Sequence, residues 1–189
     1  MDYILQTEKI CKYLEFNLEA QDMRKIKSNI KKTFCNDTNL FGCFIKDILN
    51  HENSGKITED EEVYNDFVLC FENHKTNKTE ISFIEKIIRY SKYYITLVFE
   101  ETDNRVLLNT IASVNSCYAI EYYPFLMELI DNFTIGKIDS ISFALMLQSI
   151  TDDVFRNFES EKPTEVHLEN LRYKLKTIIQ SRSSERYAV

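Results

Sequence analysis

Apolar residues recur at helical spacing along almost the whole chain. Ile4, Cys11, Leu14 and Leu18 fall on one face of a first helix, read at about residues 3–20. A second helix, Asp22 to Cys35, starts at a good N-cap and is basic. A third, from about Asn39 to His51, carries the stripe Phe41, Phe44, Ile45, Ile48 and Leu49. Asn53-Ser54-Gly55 stops it, because Gly takes the left-handed conformation without a steric penalty. Thr58, with Glu61 at the reciprocal N3 position, reads as a capping box that opens a fourth helix. His74 to Lys78 reads as a polar loop.

A fifth helix, about Thr79 to Glu101, has Ile84, Ile87, Ile88, Ile95 and Val98 as its apolar stripe. Its segment Tyr93 to Phe99 also has high strand propensity. The stripe continues through it without turn residues, so helix is the expectation. A sixth helix follows from about Thr102 to Tyr118. Pro124 stands near the first turn of the next helix, where its missing N–H costs nothing. That helix reaches Phe133 and ends at Gly136. Asp139 or Ser140 caps another, which runs to about Phe158, and Pro163-Thr164 opens the last, with Leu168, Leu171, Leu175 and Ile178 inward. The pattern predicts an all-α bundle of about seven to nine helices: one domain over 1–180, candidate halves 1–101 and 102–180, and a flexible polar tail at 181–189. The segments 44–57 and 125–138 align without gaps as helix, Gly and Lys-Ile, which suggests two related hairpins.

Composition narrows the class. The chain has 189 residues, 44% apolar and 28% charged, with three Gly, two Pro and no Trp. It is too hydrophobic for a disordered chain, and too poor in Gly and Pro for a β-sandwich or a dinucleotide-binding fold. Charges interrupt Met1 to Phe16, so no signal peptide is expected, and no apolar run is long enough to span a membrane. The five cysteines form no C-x-x-C, and no His stands at metal-ligand spacing beside them. They read as reduced, mostly buried thiols of a cytoplasmic protein.

Catalytic chemistry finds little support. His51, His74 and His167 are the three histidines. They read as a helix-end, a loop and a first-turn residue. No Arg lies at the spacing of the arginine-histidine motif of HEPN ribonucleases, and no P-loop, nucleophile elbow or zincin motif occurs. Asp152-Asp153 and Glu100-Glu101 are neighbours on helices and point apart. The expectation is a protein that is not an enzyme, with no metal, no cofactor and no small-molecule substrate.

Charge supplies the binding hypothesis. Asp and Glu number 30 against 23 Lys and Arg, a formal net charge of −7. Arg24, Lys25, Lys27, Lys31 and Lys32 form a basic block, but no aromatic interleaves it and the chain as a whole repels phosphate, so nucleic acid is not an expected partner. Glu59, Asp60, Glu61 and Glu62 run consecutively, with Asp66 a turn beyond. At a helix start they complement the macrodipole. As a surface they would steer a basic partner, and these five are the expected partner-binding residues.

Tyr123-Pro124-Phe125-Leu126-Met127-Glu128-Leu129-Ile130-Asp131-Asn132-Phe133, then Gly136-Lys137-Ile138, then Phe143, resembles the self-protective immunity proteins of the colicin D type and related immunity proteins of contact-dependent inhibition systems. The likeness covers roughly residues 118–150. It implies a cytoplasmic helical protein that binds a toxin domain, often a nuclease, and blocks its active site. A nuclease groove is basic, so an acidic inhibitor fits it. The alternative is a Bcl-2-like bundle that takes an amphipathic helix in a groove, although the Trp-Gly-Arg element usual there has no counterpart. An enzyme built on clustered carboxylates is the third reading.

Overall fold

Helix ends explain how a chain with so little Gly stays all-helical. The computed structural model describes residues 3–35, 37–53, 58–156 and 165–186. Among them are nine α-helices, two short 3-10 turns and no strand. Cys35, Lys78, Glu100 and Tyr118 sit in the left-handed region with φ of 49°, 58°, 57° and 55°, beside Gly136 at 72°. After Lys78, the Thr79 N–H reaches back to the His74 carbonyl at 2.8 Å; after Tyr118, the Ala119 N–H reaches the Val114 carbonyl at 2.9 Å. Both are the long closing bond of a Schellman ending, made here without glycine.

Two compact units divide the chain, Met1–Ile95 and Thr96–Val189. The boundary falls inside the fifth helix, whereas the sequence reading puts it near residue 101. The first unit holds α1 (Tyr3–Asn17), α2 (Ala20–Phe34), α3 (Thr38–Glu52), a 3-10 turn at Asp60–Glu62, α4 (Val63–Thr76) and most of α5 (Glu80–Phe99). α3 packs on α1, α2 and α4, and α4 also packs on α1. Phe34, Phe41, Phe44 and Tyr94 form one buried ring cluster, with Phe44 and Tyr94 centroids 5.4 Å apart; Phe67, Phe71 and Phe83 form another. Full burial of a side chain of this size stabilises by about 1.5–3 kcal/mol. That burial holds α3, α4 and α5 in register.

The expected strand-prone segment is helical, because Tyr90, Tyr94 and Leu97 continue the buried face begun by Phe83, Ile84 and Ile87. The face is rotated from the expected stripe: Ile88, Ile95 and Val98 are only part-buried. Thr58 does not cap α4. Its N–H donates to Asn50 Oδ1 at 2.7 Å, which draws it into the interior, and regular helix begins later, at Val63. Asp22 lies inside α2, whose N-cap is Glu19.

The second unit holds α6 (Arg105–Ser116), a 3-10 turn at Ile120–Tyr122, α7 (Tyr123–Thr134), α8 (Ser140–Arg156) and α9 (Glu165–Arg186). α8 packs on α6, α7 and α9. Asn104 caps α6 through the Leu107 N–H at 3.1 Å, and Asp139 Oδ1 accepts from the Ser142 N–H at 2.7 Å at the start of α8. Phe133 and Phe143 stack at 4.3 Å. α9 continues to Arg186, into the segment read as a tail, and Arg182 makes an ion pair with Asp139. Residues 187–189, the Gly55 stop and the Pro163-Thr164 opening lie outside the described residues. In the aligned segments the same positions are buried, Phe44, Ile45, Ile48 and Leu49 in α3 and Phe125, Leu126, Leu129 and Ile130 in α7. The following helices start differently, α8 at an Asp cap and α4 after an acidic 3-10 turn. No helix among the described residues is long and apolar enough to cross a membrane.

Candidate functional site

The acidic run forms a 3-10 turn that leads directly into α4 rather than the first α-helical turn itself. Glu59 has an extended backbone, and the Glu62 N–H bonds to its carbonyl at 3.0 Å. Glu59, Glu61 and Glu62 are exposed; Asp60 and Asp66 are part-buried. Asp60 Oδ1 accepts from Lys46 Nζ at 2.6 Å, which ties the turn to α3. Asn65 Nδ2 donates to Glu62 Oε2 at 3.1 Å. Glu62, Asp66, Leu69 and Asn73 then follow one another along a single face of α4, and Leu69 is 62% exposed despite being apolar. The five sequence-derived residues thus occupy one end of α4 and the turn before it. Tyr64, in the first turn of α4, is part-buried, with Lys9 Nζ 5.7 Å from its ring centroid.

Asp66 and Leu69 lead into a cleft of about 240 Å³ between the end of α3 and the last turns of α4, also lined by Glu52, Cys70, Asn73 and His74. Glu52 is its centre. Lys86 Nζ on α5 pairs with Glu52 Oε1, His74 Nε2 is 3.4 Å from Glu52 Oε2, and His51 Nδ1 is 3.7 Å from Glu52 Oε1. Burial alone would raise the Glu52 carboxyl; the hydrogen bonds and charges of His51 and Lys86 outweigh it and hold the group at about 2. Glu52 is therefore an ionised ion-pair acceptor at neutral pH, not a proton donor. Burial, with the charge of Glu52 second, pushes the Cys70 thiol up to about 12.

His74 departs from the expected polar loop. α4 carries on to Thr76, and the His74 ring stacks on Phe83 at 4.4 Å with 10° between the planes. Cys70 and His74 are one helical turn apart, so a His does stand at ligand spacing beside a Cys, contrary to the sequence reading. That spacing was the available signal. What hid it was the assignment of His74 to a loop, where turn spacing carries no meaning. The cysteines are also less buried than expected: Cys35 is exposed and Cys11, Cys43, Cys70 and Cys117 are part-buried. Of the basic block, Lys27 pairs with Glu15.

A second cavity, of about 310 Å³, lies among α1, α2 and α3, where Cys11, Leu14, Met23, Ile26, Phe34 and Phe41 contribute most of its apolar wall.

No protein family matches the chain, and neither a curated protein nor a solved structure matches it significantly.

Proposed function

We propose that this is an immunity- or antitoxin-type binding protein of the cytoplasm, which neutralises a cognate toxin domain by covering a basic active-site groove with the acidic turn. The observation that carries the reading is the division of labour within the turn. Asp60 is engaged by Lys46, while Glu59, Glu61 and Glu62 face solvent. Carboxylates left in water repel one another, and a basic partner removes that repulsion while gaining attraction. Leu69 beside them offers an apolar anchor within a charged rim, the usual anatomy of a binding patch. The protein acts by occlusion and contributes no catalytic group.

The test is binding kinetics against the C-terminal domain encoded by the adjoining upstream reading frame. Replacing Glu59, Glu61, Glu62 and Asp66 by Ser should slow association at least tenfold at low salt and flatten its salt dependence. Association unchanged in rate and salt response rejects the acidic turn as the interface.

The apolar cavity bordered by α1, α2 and α3 favours a second reading, capture of apolar side chains from an amphipathic partner helix. Binding of that kind is insensitive to salt, so the same kinetics separate the two.

A further inference from the structure

We propose that Glu52, Cys70 and His74 form a binding site for a single divalent transition-metal ion of the zinc class, in the cleft between the end of α3 and the last turns of α4. The site does not depend on the toxin-binding reading, because its three donors are other side chains and only Asp66, on the cleft wall, is shared.

The donors come first. One carboxylate oxygen, one sulfur and one imidazole nitrogen all lie within 4.8 Å of one another. Thiolate and imidazole together select zinc-like ions over magnesium or calcium, which take oxygen ligands. Tetrahedral zinc places its ligand atoms about 3.3–3.6 Å apart. His74 Nε2 and Glu52 Oε2, at 3.4 Å, already have that separation. Only the sulfur has to close in, by a side-chain movement of about 1 Å.

The hydrogen bonds around the cluster supply the second observation. The Thr79 hydroxyl donates to the His74 carbonyl at 3.2 Å, so Thr79 Oγ1 has its lone pairs left to accept from His74 Nδ1–H, 2.8 Å away. With the hydrogen on Nδ1, Nε2 presents its lone pair to Glu52 Oε2 at 3.4 Å, and a cation between them bonds both; with the hydrogen on Nε2, the same contact is a hydrogen bond that the metal displaces. Glu52 Oε1 is meanwhile occupied by Lys86, which leaves Oε2 to the metal. Each ligand except the sulfur therefore has the outer partner that orients metal ligands. The Lys86 charge lowers affinity for a dication, while a Cys70 thiolate and the Glu52 carboxylate together match its charge. Asp66 on the cleft wall adds a further negative charge. The cleft is open and polar, with room for water as the fourth ligand.

The alternative occupant is a proton on Nε2, which would make a plain imidazolium–carboxylate pair. Cobalt distinguishes the two. Untagged full-length protein is stripped with a chelator and titrated with Co²⁺, and the sulfur-to-cobalt charge-transfer band and visible ligand-field bands are followed; Zn²⁺ then displaces the cobalt. The expected result is one cobalt per chain with a thiolate band, lost on C70S, weakened more than tenfold on H74Q, and retained on C43S. Far-ultraviolet circular dichroism monitors folding of each variant, and Zn²⁺ raises the melting temperature of the wild type and of C43S but not of C70S. If C70S fails to fold, H74Q decides. No thiolate band in the wild type, or a band in H74Q of unchanged affinity, overturns the proposal.

Discussion

Lys46 and Asp60 are joined across the first unit by an ion pair of 2.6 Å, and this pair separates the acidic turn into one residue that serves the fold and others that face solvent. The Lys46 and Asp60 side chains are 24% and 40% exposed, so water and salt screen the pair and its net contribution is under about 1 kcal/mol. Asp60→Asn should lower stability by no more than that, with a smaller effect at high salt. The triple replacement of Glu59, Glu61 and Glu62 by Ser should stay within about 0.5 kcal/mol of the wild type. Urea unfolding at two salt concentrations checks both. A large loss in the triple variant would mean that these carboxylates hold the fold and are not reserved for a partner.

Lys78 closes α4 with a φ of 58°, a conformation that strains an L-residue with a side chain. Its side chain is exposed, so nothing packed is lost on removal. Lys78→Gly should therefore stabilise by about 0.5–1 kcal/mol, the left-handed penalty less the added unfolded-state entropy. Thermal unfolding checks the sign. Lys78→Ala retains the strain and should not stabilise.

Asp139 gives the second unit an acid-sensitive joint. The hydrogen bond from the Ser142 backbone N–H, reinforced by the charge of Arg182, holds its carboxyl below the ordinary aspartate range. A folded-state value below the unfolded one means the contribution is fully present above the unfolded value of about 3.9 and is lost as pH falls through the lower folded value. Asn also caps helices but does not titrate. Asp139→Asn should therefore be less stable than the wild type at neutral pH, with the two curves converging on acidification below about pH 4. Denaturant midpoints across pH follow this directly, and parallel curves would contradict it.

The reach of the sequence differs between elements. Stripes such as Phe41, Phe44, Ile45, Ile48 and Leu49 fix a buried helix face, and the structure buries all of them. Boundaries governed by tertiary contacts are harder to read. Thr58 has every local mark of a cap, but the Asn50 side chain on α3 takes its N–H and moves the helix start to Val63. Lys78 and Tyr118 end helices without the Gly that marks such a stop, and the polar stretch from His74 reads as a loop although α4 continues to Thr76. The acidic turn was legible as a consecutive run of like charges. Glu52, Thr79 and Lys86 were not, because Glu52 and Thr79 reach His74, and Lys86 reaches Glu52, from other segments that only the packing of α3, α4 and α5 gathers.

The most direct test of the binding function is a growth rescue. The C-terminal domain encoded upstream is induced in a bacterial host with this protein, without it, and with the variant in which Glu59, Asp60, Glu61, Glu62 and Asp66 are Ser. The expected result is arrest without the protein, normal growth with it, and arrest again with the variant at equal expression level. Arrest that the wild-type protein fails to relieve, or full rescue by the variant, contradicts neutralisation through the acidic turn.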